Sequence, residues 1–467
     1  MLQESFFKNK RITVFGLGLN MGGVGTVRFL VEHGVREIVV TDIKSREELG
    51  SSLAKLAKYK NVTYVLGQHR TEDFTHTDMI IKNPVIPWTN EYIRLAEKHG
   101  VPVEMDSSIF FALCKAPIIG VTGTKGKTTT ATLIAHILEK AGKRVVRAGI
   151  GQVSVLGVLG KTTPESVVVF ELSSWRLSAL GRLKRSPHIA VLTNIYPDHL
   201  NYYKTMETYI ADKKNIFLFQ QQKDVLIANF DDATVRALAQ DVKGVLTWFS
   251  RDTLIEGDGV WVQGEKIYMR RQGATKEIAP LASLALKGWH NTTNILAAIS
   301  AALACGLAQK QIASGIMSFS GIQYRLEHTG EKNGVQYYND TTATIPEAAI
   351  AALRSFAEPV ILIAGGNDKR LEFDALAREI LERSKGLVLL RGAATEKLLA
   401  ALKKHLPVGQ KNRPFEVVET MAKAVELATR GAEQGDIVLL SPGATSFGLF
   451  KNEFDRGEQF RKAVEAL

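Results

Sequence analysis

The chain has 467 residues, of which 45% are hydrophobic and 23% are charged, and its formal net charge is +11. This length predicts about two to four domains, and the composition excludes a disordered or fibrous protein. Only two cysteines occur, Cys114 and Cys305, which argues against a disulfide framework or a thiolate metal site and fits a reducing compartment. We expect a cytoplasmic protein, because the N-terminal segment lacks a secretory signal and no apolar run is long enough to span a membrane.

The basic residues are scattered along the chain rather than gathered into arms or aromatic-interleaved stripes. A scattered charge of this kind argues against nucleic acid and favours small anionic molecules as partners. We therefore expect small-molecule substrates, no nucleic-acid partner, no membrane partner and a monomeric chain.

The first predicted elements form the opening of a nucleotide-binding βαβ unit. RITVFGLGLN, residues 11 to 20, predicts a strand that runs into a glycine turn, and EIVVTD, residues 37 to 42, predicts a second strand that ends in an acid. The dinucleotide fingerprint GxGxxG is missed because Met21 stands where a glycine is expected. The pattern is weak support for NAD, but it predicts a parallel sheet whose glycine turn faces a phosphate.

Apolar runs alternate with helical segments in two further stretches. The second begins at APIIGVTG, residues 116 to 123, and ends in an apolar helix near residues 294 to 307. The third begins near YYND and contains the runs VILIAGG, GLVLLRG and DIVLLSPG. The sequence therefore predicts an α/β protein of three consecutive domains: a Rossmann-like domain over residues 1–110, a central P-loop ATPase-type domain over residues 111–320, and a Rossmann-like C-terminal domain over residues 321–467.

TGTKGKTT, residues 122 to 129, has the order of a phosphate-binding loop. An apolar strand, a glycine turn, a lysine and a hydroxyl residue entering a helix are what phosphate binding requires, because backbone N–H groups and a helix N-terminus surround the anion. Lys127 would reach the outer phosphates and Thr128 would offer its hydroxyl to Mg²⁺. The usual pattern has its first glycine where this chain has Val121, so the spacing alone leaves open a glycine turn with no phosphate.

Further segments accompany this loop: ELSSWRL, residues 171–177; TNIYPDHLNYY, residues 193–203; KGWHNTTNILAA, residues 287–298; and LLSPGATSFGLFKNEFDRG, residues 439–457. With the loop, they resemble the Mur ligase superfamily of ATP-dependent amide-forming enzymes over nearly the whole chain. The last segment resembles the branch that adds glutamate to UDP-N-acetylmuramoyl-L-alanine in peptidoglycan precursor synthesis. The resemblance implies ATP and two Mg²⁺ ions as cofactors, an acyl-phosphate intermediate, and ADP and phosphate as products.

The same resemblance implies roles for single residues. Those implied for ATP are Gly123, Thr124, Lys125, Gly126, Lys127, Thr128, Thr129, Asn294, Arg325 and Asp340. The residues implied to bind metal are Thr128, Glu171, His199 and Lys213, the last as a carbamate. The residues implied to be catalytic are Lys127, Glu171, His199 and Lys213. Without the resemblance, Glu171 would be a turn residue, His199 structural and Lys213 a surface lysine; its neighbour Lys214 is the alternative carbamate position.

The remaining implied residues bind the two other substrates. Those implied for the UDP substrate are Gly18, Leu19, Asn20, Asp42, Ile43, Lys44, Asn83, Gln152 and Ser173. Those implied for the amino acid are Thr344, Lys369, Ser446 and Phe454. A cation with hydroxyl groups suits a dicarboxylate such as glutamate.

Three other interpretations stay open at the sequence level. The mechanism could act on L-glutamate or another amino acid, as in another Mur ligase or a polyglutamate synthetase. The first domain could instead belong to an NAD-dependent oxidoreductase, which would leave the Lys127 loop without a role. A non-catalytic nucleotide-binding protein would be expected to lack Lys127, Glu171 or His199, and all of them are present.

Overall fold

The computed structural model describes residues 2–19, 21–151, 153–252, 257–284, 286, 288–368, 371–406 and 415–467, and it leaves out the side chain of His290. The chain divides into two compact units. The first contains the residues up to 284 together with 290–319, and the second consists mainly of residues 320–467.

The first unit begins with a five-stranded sheet in which all strand pairs are parallel, in the order β3-β2-β1-β4-β5. Its strands are β1 Arg11–Phe15, β2 Glu37–Asp42, β3 Val62–Leu66, β4 Met79–Lys82 and β5 Val103–Glu104. The helices between and after them are α1 Met21–Glu32, α2 Gly50–Ala54, α3 Glu72–Thr75, α4 Glu91–Lys98 and α5 Asp106–Leu113. β1 is central because its apolar residues are buried on both faces, as crossover helices require of a parallel strand.

A nine-stranded sheet follows, in the order β14-β13-β12-β11-β10-β9-β6-β8-β7. Its strands are β6 Ile118–Thr122, β7 Val145–Ala148, β8 Val167–Glu171, β9 Ile189–Leu192, β10 Val225–Asn229, β11 Val245–Ser250, β12 Gly259–Gln263, β13 Lys266–Arg271 and β14 Ala274–Pro280. The helices of this region are α6 Lys127–Lys140, α7 Ser174–Leu183, α8 Leu200–Tyr203, α9 Met206–Lys214, α10 Ala233–Ala239, α11 Trp289–Ala304 and α12 Gln309–Met317.

The last three strands of this sheet form an antiparallel meander, which the sequence analysis did not identify. β13 and β14 are joined by a two-residue turn in which Gln272 has φ 51° and Gly273 has φ 80°. Positive φ at both central residues is typical of the turns whose twist matches a hairpin. The polar-Gly pair between two short strands was therefore the available signal.

The two sheets of the first unit share one hydrophobic core, which extends from the β1 and β2 strands to β8 and β9. Phe110 of α5 packs edge-on against Phe170 of β8, with 5.3 Å between the ring centroids. Gly25 of α1 approaches Ser154 so closely that an added Cβ would lie 1.8 Å from the serine Oγ. This shared packing explains why both sheets fall in one compact unit.

The second unit contains a six-stranded sheet, in the order β15-β16-β20-β17-β18-β19, which is parallel except for the β15–β16 pair. Its strands are β15 Glu327–Lys332, β16 Val335–Asn339, β17 Val360–Gly365, β18 Ser384–Leu390, β19 Glu416–Val418 and β20 Ile437–Leu440. Its helices are α13 Pro346–Leu353, α14 Asp374–Arg383, α15 Ala393–His405, α16 Met421–Arg430 and α17 Glu453–Glu465.

Three mostly parallel sheets in chain order confirm the predicted α/β fold class. The domain boundaries near residues 110 and 320 stay predictions. Within the described part of the chain, no helix has both the length and the apolar character needed to cross a bilayer.

Candidate active site

The candidate site lies where three neighbouring strands of the nine-stranded sheet end. β6 pairs with β8 on one side and β9 on the other, with Val121 beside Glu171 and Thr122 beside Leu192. The carboxyl ends of parallel strands meet at one edge of a sheet, and ligands of open α/β sheets bind there. The segments that begin at Gly123, Leu172 and Thr193 therefore leave the sheet side by side.

The loop after β6 has a backbone that only glycine adopts easily. Gly126 has φ 82° and is the N-cap of α6. A Cβ at this position would lie 2.2 Å from Asn294 Oδ1, so the α11 asparagine predicted to contact ATP lies directly against the loop. The first backbone N–H groups of a helix have no partner within the helix, which makes the start of α6 a site for an anion.

Asn194, which the sequence analysis did not select, fixes the loop from the β9 side. Its Oδ1 accepts a hydrogen bond from Lys125 N at 2.8 Å, and its Nδ2 donates to Lys125 O at 3.0 Å. Its own carbonyl oxygen accepts from Thr124 N at 2.9 Å. Asn194 therefore sets the loop backbone at two consecutive residues. It stands in the segment TNIYPDH, in which only the histidine was assigned a role.

Two lysine amines converge on one carbonyl oxygen of the loop. Lys127 Nζ donates to Gly123 O and to Thr124 O, each at 3.0 Å. Lys213 Nζ, on α9, donates to Gly123 O at 2.8 Å. The structure thus brings Lys213 to the phosphate-loop candidate, as the sequence analysis expected of a residue in the same site.

Burial distinguishes Lys213 from its neighbour Lys214. The Lys213 side chain is 1% exposed, and burial, together with the charge of Lys127, holds the pKa of its amine well below the usual lysine value. Lys214 instead forms an ion pair with Asp241 at 2.5 Å near the surface. A neutral amine is the form that adds to an electrophile such as CO₂, so Lys213 is the better candidate for a carbamate.

His199 lies in the same region but is partly open to solvent. Its φ of 54° is unusual for a residue other than glycine, and its ring packs against Trp175 with 4.7 Å between centroids. Partial burial lowers the pKa of His199, and the nearby amines of Lys127 and Lys213 lower it further, against the opposing charge of Asp198. A neutral imidazole is the form that binds metal ions.

The residues predicted to bind metal differ in how well they suit Mg²⁺. Thr128, in the first turn of α6, and Glu171, at the end of β8, carry oxygen donors, which are the ligands Mg²⁺ prefers. The amine of Lys213 is not such a donor. In the described residues, no group of three or more His, Cys, Asp or Glu side chains could by itself hold a metal ion. The oxygen donors of Thr128 and Glu171 suit magnesium, whereas the unmodified amine of Lys213 does not.

The glycine turn after β1 is tied to the end of β2 by Asp42. Its Oδ2 accepts from Gly18 N at 2.9 Å and its Oδ1 accepts from Lys44 N at 3.0 Å. The carboxylate thereby holds two loops together, whereas in a dinucleotide site an acid at this place binds the ribose hydroxyls. Leu19 and Ile43, on the two loops, are 56% and 66% exposed and leave apolar surface at this edge.

Other residues predicted for the UDP substrate have local contacts. Asn83 donates from Nδ2 to Gly16 O at 3.3 Å, which places the loop after β4 against the glycine turn. Ser173 caps α7, because its Oγ accepts from Arg176 N at 3.3 Å. Asn20 and Gln152 lie outside the described residues.

Arg325 and Asp340 belong to the second unit and are described within it. Arg325 is exposed between two non-glycine residues with positive φ, Tyr324 at 68° and Leu326 at 43°. Asp340 Oδ1 accepts from Leu326 N at 3.2 Å and its Oδ2 accepts from Ser441 Oγ at 2.8 Å. Burial raises the pKa of Asp340 to about 7. In this structure Asp340 supports the strained turn that carries Arg325.

The residues predicted for the amino acid lie in three segments of the second unit. Thr344 follows β16 and is half-buried, Ser446 follows β20 and is buried, and Phe454 is in the first turn of α17. The Phe454 ring packs against Tyr324, with 5.7 Å between centroids. Lys369, the predicted cation of this set, lies outside the described residues.

Comparison with protein families covers most of the chain. A family described as "Mur ligase MurD-like, N-terminal domain" matches residues 10–104, "Mur ligase middle domain" matches residues 121–302, and "Mur ligase, glutamate ligase domain" matches residues 324–443. The three matches follow one another in the order of the three sheets.

Curated relatives match over their full length. UDP-N-acetylmuramoylalanine–D-glutamate ligase of Roseiflexus sp. is 43% identical, covering 98% of this chain and 99% of the relative. The protein of that name from Symbiobacterium thermophilum is 38% identical, with 98% of each chain covered.

Solved structures show the same fold at low identity. The UDP-N-acetylmuramate-alanine ligase MurC of Thermotoga maritima is 17% identical, with a TM-score of 0.61 over 98% of this chain and 99% of that one. The MurF ligase of Thermotoga maritima in complex with ADP is 16% identical, with a TM-score of 0.56 over 100% of this chain and 97% of that one. The order of the domains, the loop at Lys127 and the full-length relatives agree, and the chain belongs to the Mur ligase family.

Proposed function

We propose that this chain joins D-glutamate to the L-alanine carboxyl group of UDP-N-acetylmuramoyl-L-alanine, using ATP and releasing ADP and phosphate. Its full-length relatives carry the name of this activity. A carboxylate must be activated before an amine can displace its oxygen. Phosphoryl transfer from ATP gives an acyl phosphate, and the amino group of D-glutamate then displaces phosphate to form the amide.

Lys127 is proposed to neutralise the outer phosphates of ATP. Its amine lies 3.0 Å from the carbonyl oxygens of Gly123 and Thr124, so a phosphate oxygen at the start of α6 would compete for the same protons. Catalysis of phosphoryl transfer depends mainly on positioning and on stabilising charge that develops on the phosphate oxygens. Asn194 contributes by holding the loop backbone at Lys125, and Asn294 lies against Gly126 and accepts from Thr130 Oγ1.

Lys213 is proposed to carry CO₂ as a carbamate. Its buried amine has a strongly lowered pKa, and addition of CO₂ would replace a poor metal ligand by two oxygens. Thr128, Glu171, His199 and the carbamate would then hold two Mg²⁺ ions, which when bound offset the negative charge of the reacting phosphate and carboxylate. The protein's part is to orient these donors at one sheet edge and to keep the Lys213 amine neutral before the carbamate forms.

The other two substrates are assigned to the remaining predicted residues. The glycine turn at Gly18 and the loop at Ile43, held together by Asp42, are proposed to receive the UDP portion. Thr344, Lys369, Ser446 and Phe454 are proposed to receive D-glutamate. Asp42 is occupied with two backbone N–H groups, which makes the first domain a poorer NAD site and, with the family membership, disfavours the oxidoreductase alternative.

The observation that carries this proposal is the convergence of Lys127 and Lys213 on Gly123 O beside the start of α6. The test measures phosphate release from ATP and Mg²⁺ with UDP-N-acetylmuramoyl-L-alanine and, in separate reactions, D-glutamate, L-glutamate, L-lysine or no amino acid. Release that requires both the nucleotide sugar and D-glutamate is expected. Release with L-glutamate instead would keep the mechanism and change the substrate.

A matched pair of variants tests the role of the loop. Lys127→Ala should abolish turnover because the outer phosphates lose their principal cation. Lys140→Ala removes an exposed lysine from the other end of the same helix and should leave the rate unchanged. Near-normal phosphate release by the Lys127 variant would refute the assignment of the loop.

A further inference from the structure

Arg456, on α17, is fully buried and has no carboxylate partner within the part of the chain that the structure describes. Its side chain is 0% exposed, and among the described residues no Asp or Glu oxygen lies within ion-pair distance of it. Its guanidinium donates instead to neutral oxygens: Nε to Thr341 Oγ1 at 3.0 Å, Nη2 to Thr341 O at 2.8 Å and Nη1 to Ala444 O at 3.1 Å. A buried charge is unfavourable unless it is paired, so its presence here requires an explanation.

The acceptors of Arg456 place it at a junction of three chain segments. Thr341 lies three residues before Thr344, and Ala444 lies two residues before Ser446. Arg456 itself lies two residues after Phe454. One planar guanidinium therefore connects the three segments that carry the described residues predicted to bind the amino acid.

Contacts beside the guanidinium belong to the same junction. Asn339 Nδ2 donates to Gly457 O at 3.0 Å, and Thr341 Oγ1 donates to Glu453 O at 2.8 Å. A Cβ at Gly457 would lie 2.6 Å from Thr341 Cγ2, so the helix and the loop after β16 are in direct contact. The junction is tightly packed, and small changes in Arg456 would move the loops it joins.

The charge of Arg456 is the second part of the argument. Glu453 and Asp340 act on it only at a distance, and burial lowers the pKa of the guanidinium to about 10, which still leaves it cationic at neutral pH. In a medium of low polarity an incompletely balanced cation attracts anions over several ångströms. A dicarboxylate bound between Thr344 and Ser446 would add negative charge near the guanidinium.

We infer that Arg456 is a positioning residue for the incoming amino acid, fixing the Thr344, Ser446 and Phe454 segments relative to one another and favouring a dicarboxylate. This inference rests on the proposed ligase function. It assigns the residue no contact with the substrate. Lysine cannot replace it fully, because a single ammonium lacks the planar set of donors that reaches both loops at once.

The test compares steady-state kinetics of the full-length enzyme with four single variants. Arg456→Gln removes the charge, and Arg456→Lys keeps the charge without the planar set of donors. Thr341→Val leaves Arg456 in place and removes the hydroxyl that accepts from its Nε and donates to Glu453 O. Arg461→Gln is the control, since Arg461 lies on the same helix but pairs with Glu458 and Glu465 near the surface. KM is measured separately for D-glutamate, ATP and the nucleotide sugar, and thermal unfolding reports whether each variant is folded.

Arg456→Gln should raise the KM for D-glutamate about tenfold or more while the KM for ATP and for the nucleotide sugar changes less than about twofold. Arg456→Lys and Thr341→Val should show smaller increases of the same kind, and Arg461→Gln none. If both Arg456 variants fail to fold, Thr341→Val decides the question alone. An unchanged KM for D-glutamate in the folded variants, or a parallel rise for all three substrates, would overturn the inference. Failure of the wild-type enzyme to respond to D-glutamate would instead refute the proposed function.

Discussion

Adjacent residues of this chain can have opposite chemistry. Lys213 and Lys214 follow each other on α9, yet one amine is buried against Gly123 O and the other forms a surface ion pair with Asp241. Burial favours the neutral form of an amine, whereas exposure beside a carboxylate favours the cation. The sequence motif favours Lys213 with Lys214 as the alternative, and burial likewise favours Lys213 for the proposed carbamate.

Replacement of each lysine by alanine tests this assignment. Lys213→Ala should reduce D-glutamate-dependent phosphate release by about a hundredfold or more, because the proposed carbamate oxygens are lost. Addition of a short carboxylate such as acetate or formate should restore part of the rate by occupying the vacated volume. Lys214→Ala is the matched control and should keep most of the activity. Full activity of Lys213→Ala without added carboxylate would refute the carbamate.

The sequence predicts the role of a single residue best when the residues it contacts lie close to it along the chain. Lys127 and Gly126 are identified by a local pattern, because one loop and one helix start contain the whole signal. The burial of Lys213 was not predictable in this way, since its partner Gly123 lies 90 positions earlier in the chain. The same holds for Asn194, which is an ordinary polar residue until the loop 69 positions earlier packs against it.

At the scale of elements, α6 begins and ends with a glycine in the left-handed conformation. Gly126 caps the N-terminus with φ 82°, and Gly142 follows the C-cap with φ 81°. The surroundings differ, because a Cβ at Gly126 would overlap Asn294 Oδ1, whereas one at Gly142 would meet nothing within 4 Å. A side chain would meet a left-handed backbone at both positions, but only at Gly126 would it also clash with another residue. Substitutions at the two glycines therefore separate the cost of backbone strain from that of the clash.

Gly142→Ala should lower the free energy of unfolding by about 1 kcal/mol, the cost of placing a side chain in the left-handed region. Gly126→Ala should lower it further and should also weaken ATP binding, because Asn294 or the loop must move. Urea unfolding and direct titration with ATP measure the two effects. Equal destabilisation by both substitutions, with ATP affinity retained, would contradict the close contact between Gly126 and Asn294.

The sequence predicted those strands that appear in it as continuous apolar runs. β1, β2, β6, β17 and β20 coincide with apolar runs that the sequence analysis identified, because strands buried on both faces read as continuous hydrophobic segments. The antiparallel meander of β12 to β14 was missed. Its strands are short and partly exposed, and its hairpin turn contains Gln272 in place of the asparagine or aspartate that usually marks such a turn.

For the molecule as a whole, we expect the stability of the first unit to depend on pH through one buried lysine, Lys82. Lys82 is the last residue of β4 and is 2% exposed, with its amine 4.4 Å from the Trp88 ring centroid and donating to Ile86 O at 2.8 Å. Burial lowers the pKa of Lys82 from the usual lysine value to about 7, against the opposing charges of Asp106 and Asp212. Between about pH 7 and 10.5 the unfolded chain therefore binds a proton that the folded chain does not.

Proton binding by Lys82 of the unfolded chain becomes less favourable as the pH rises. The free energy of unfolding should consequently increase with pH across this window. The contribution of Lys82 is about 1.4 kcal/mol for each pH unit inside the window. Lys82→Met should remove it, so that the urea midpoint of the variant rises less between pH 7.5 and 9.5 than that of the wild type. Lys98→Met, at an exposed position on α4, is the control. Parallel pH profiles for Lys82→Met and the wild type would contradict a neutral buried lysine.

The residues that contact the glycine loop lie much later in the chain, so during synthesis the loop is made well before its contacts can form. Lys125 is held by Asn194, and Thr130, one turn into α6, donates to Asn294, which lies 164 positions later. A chain emerging from the ribosome therefore carries the loop sequence long before it carries the residues that hold the loop. Until residue 294 has been translated, the nascent chain lacks an asparagine that contacts the loop and α6, and we expect a chain stalled before that point to lack the proposed ATP site.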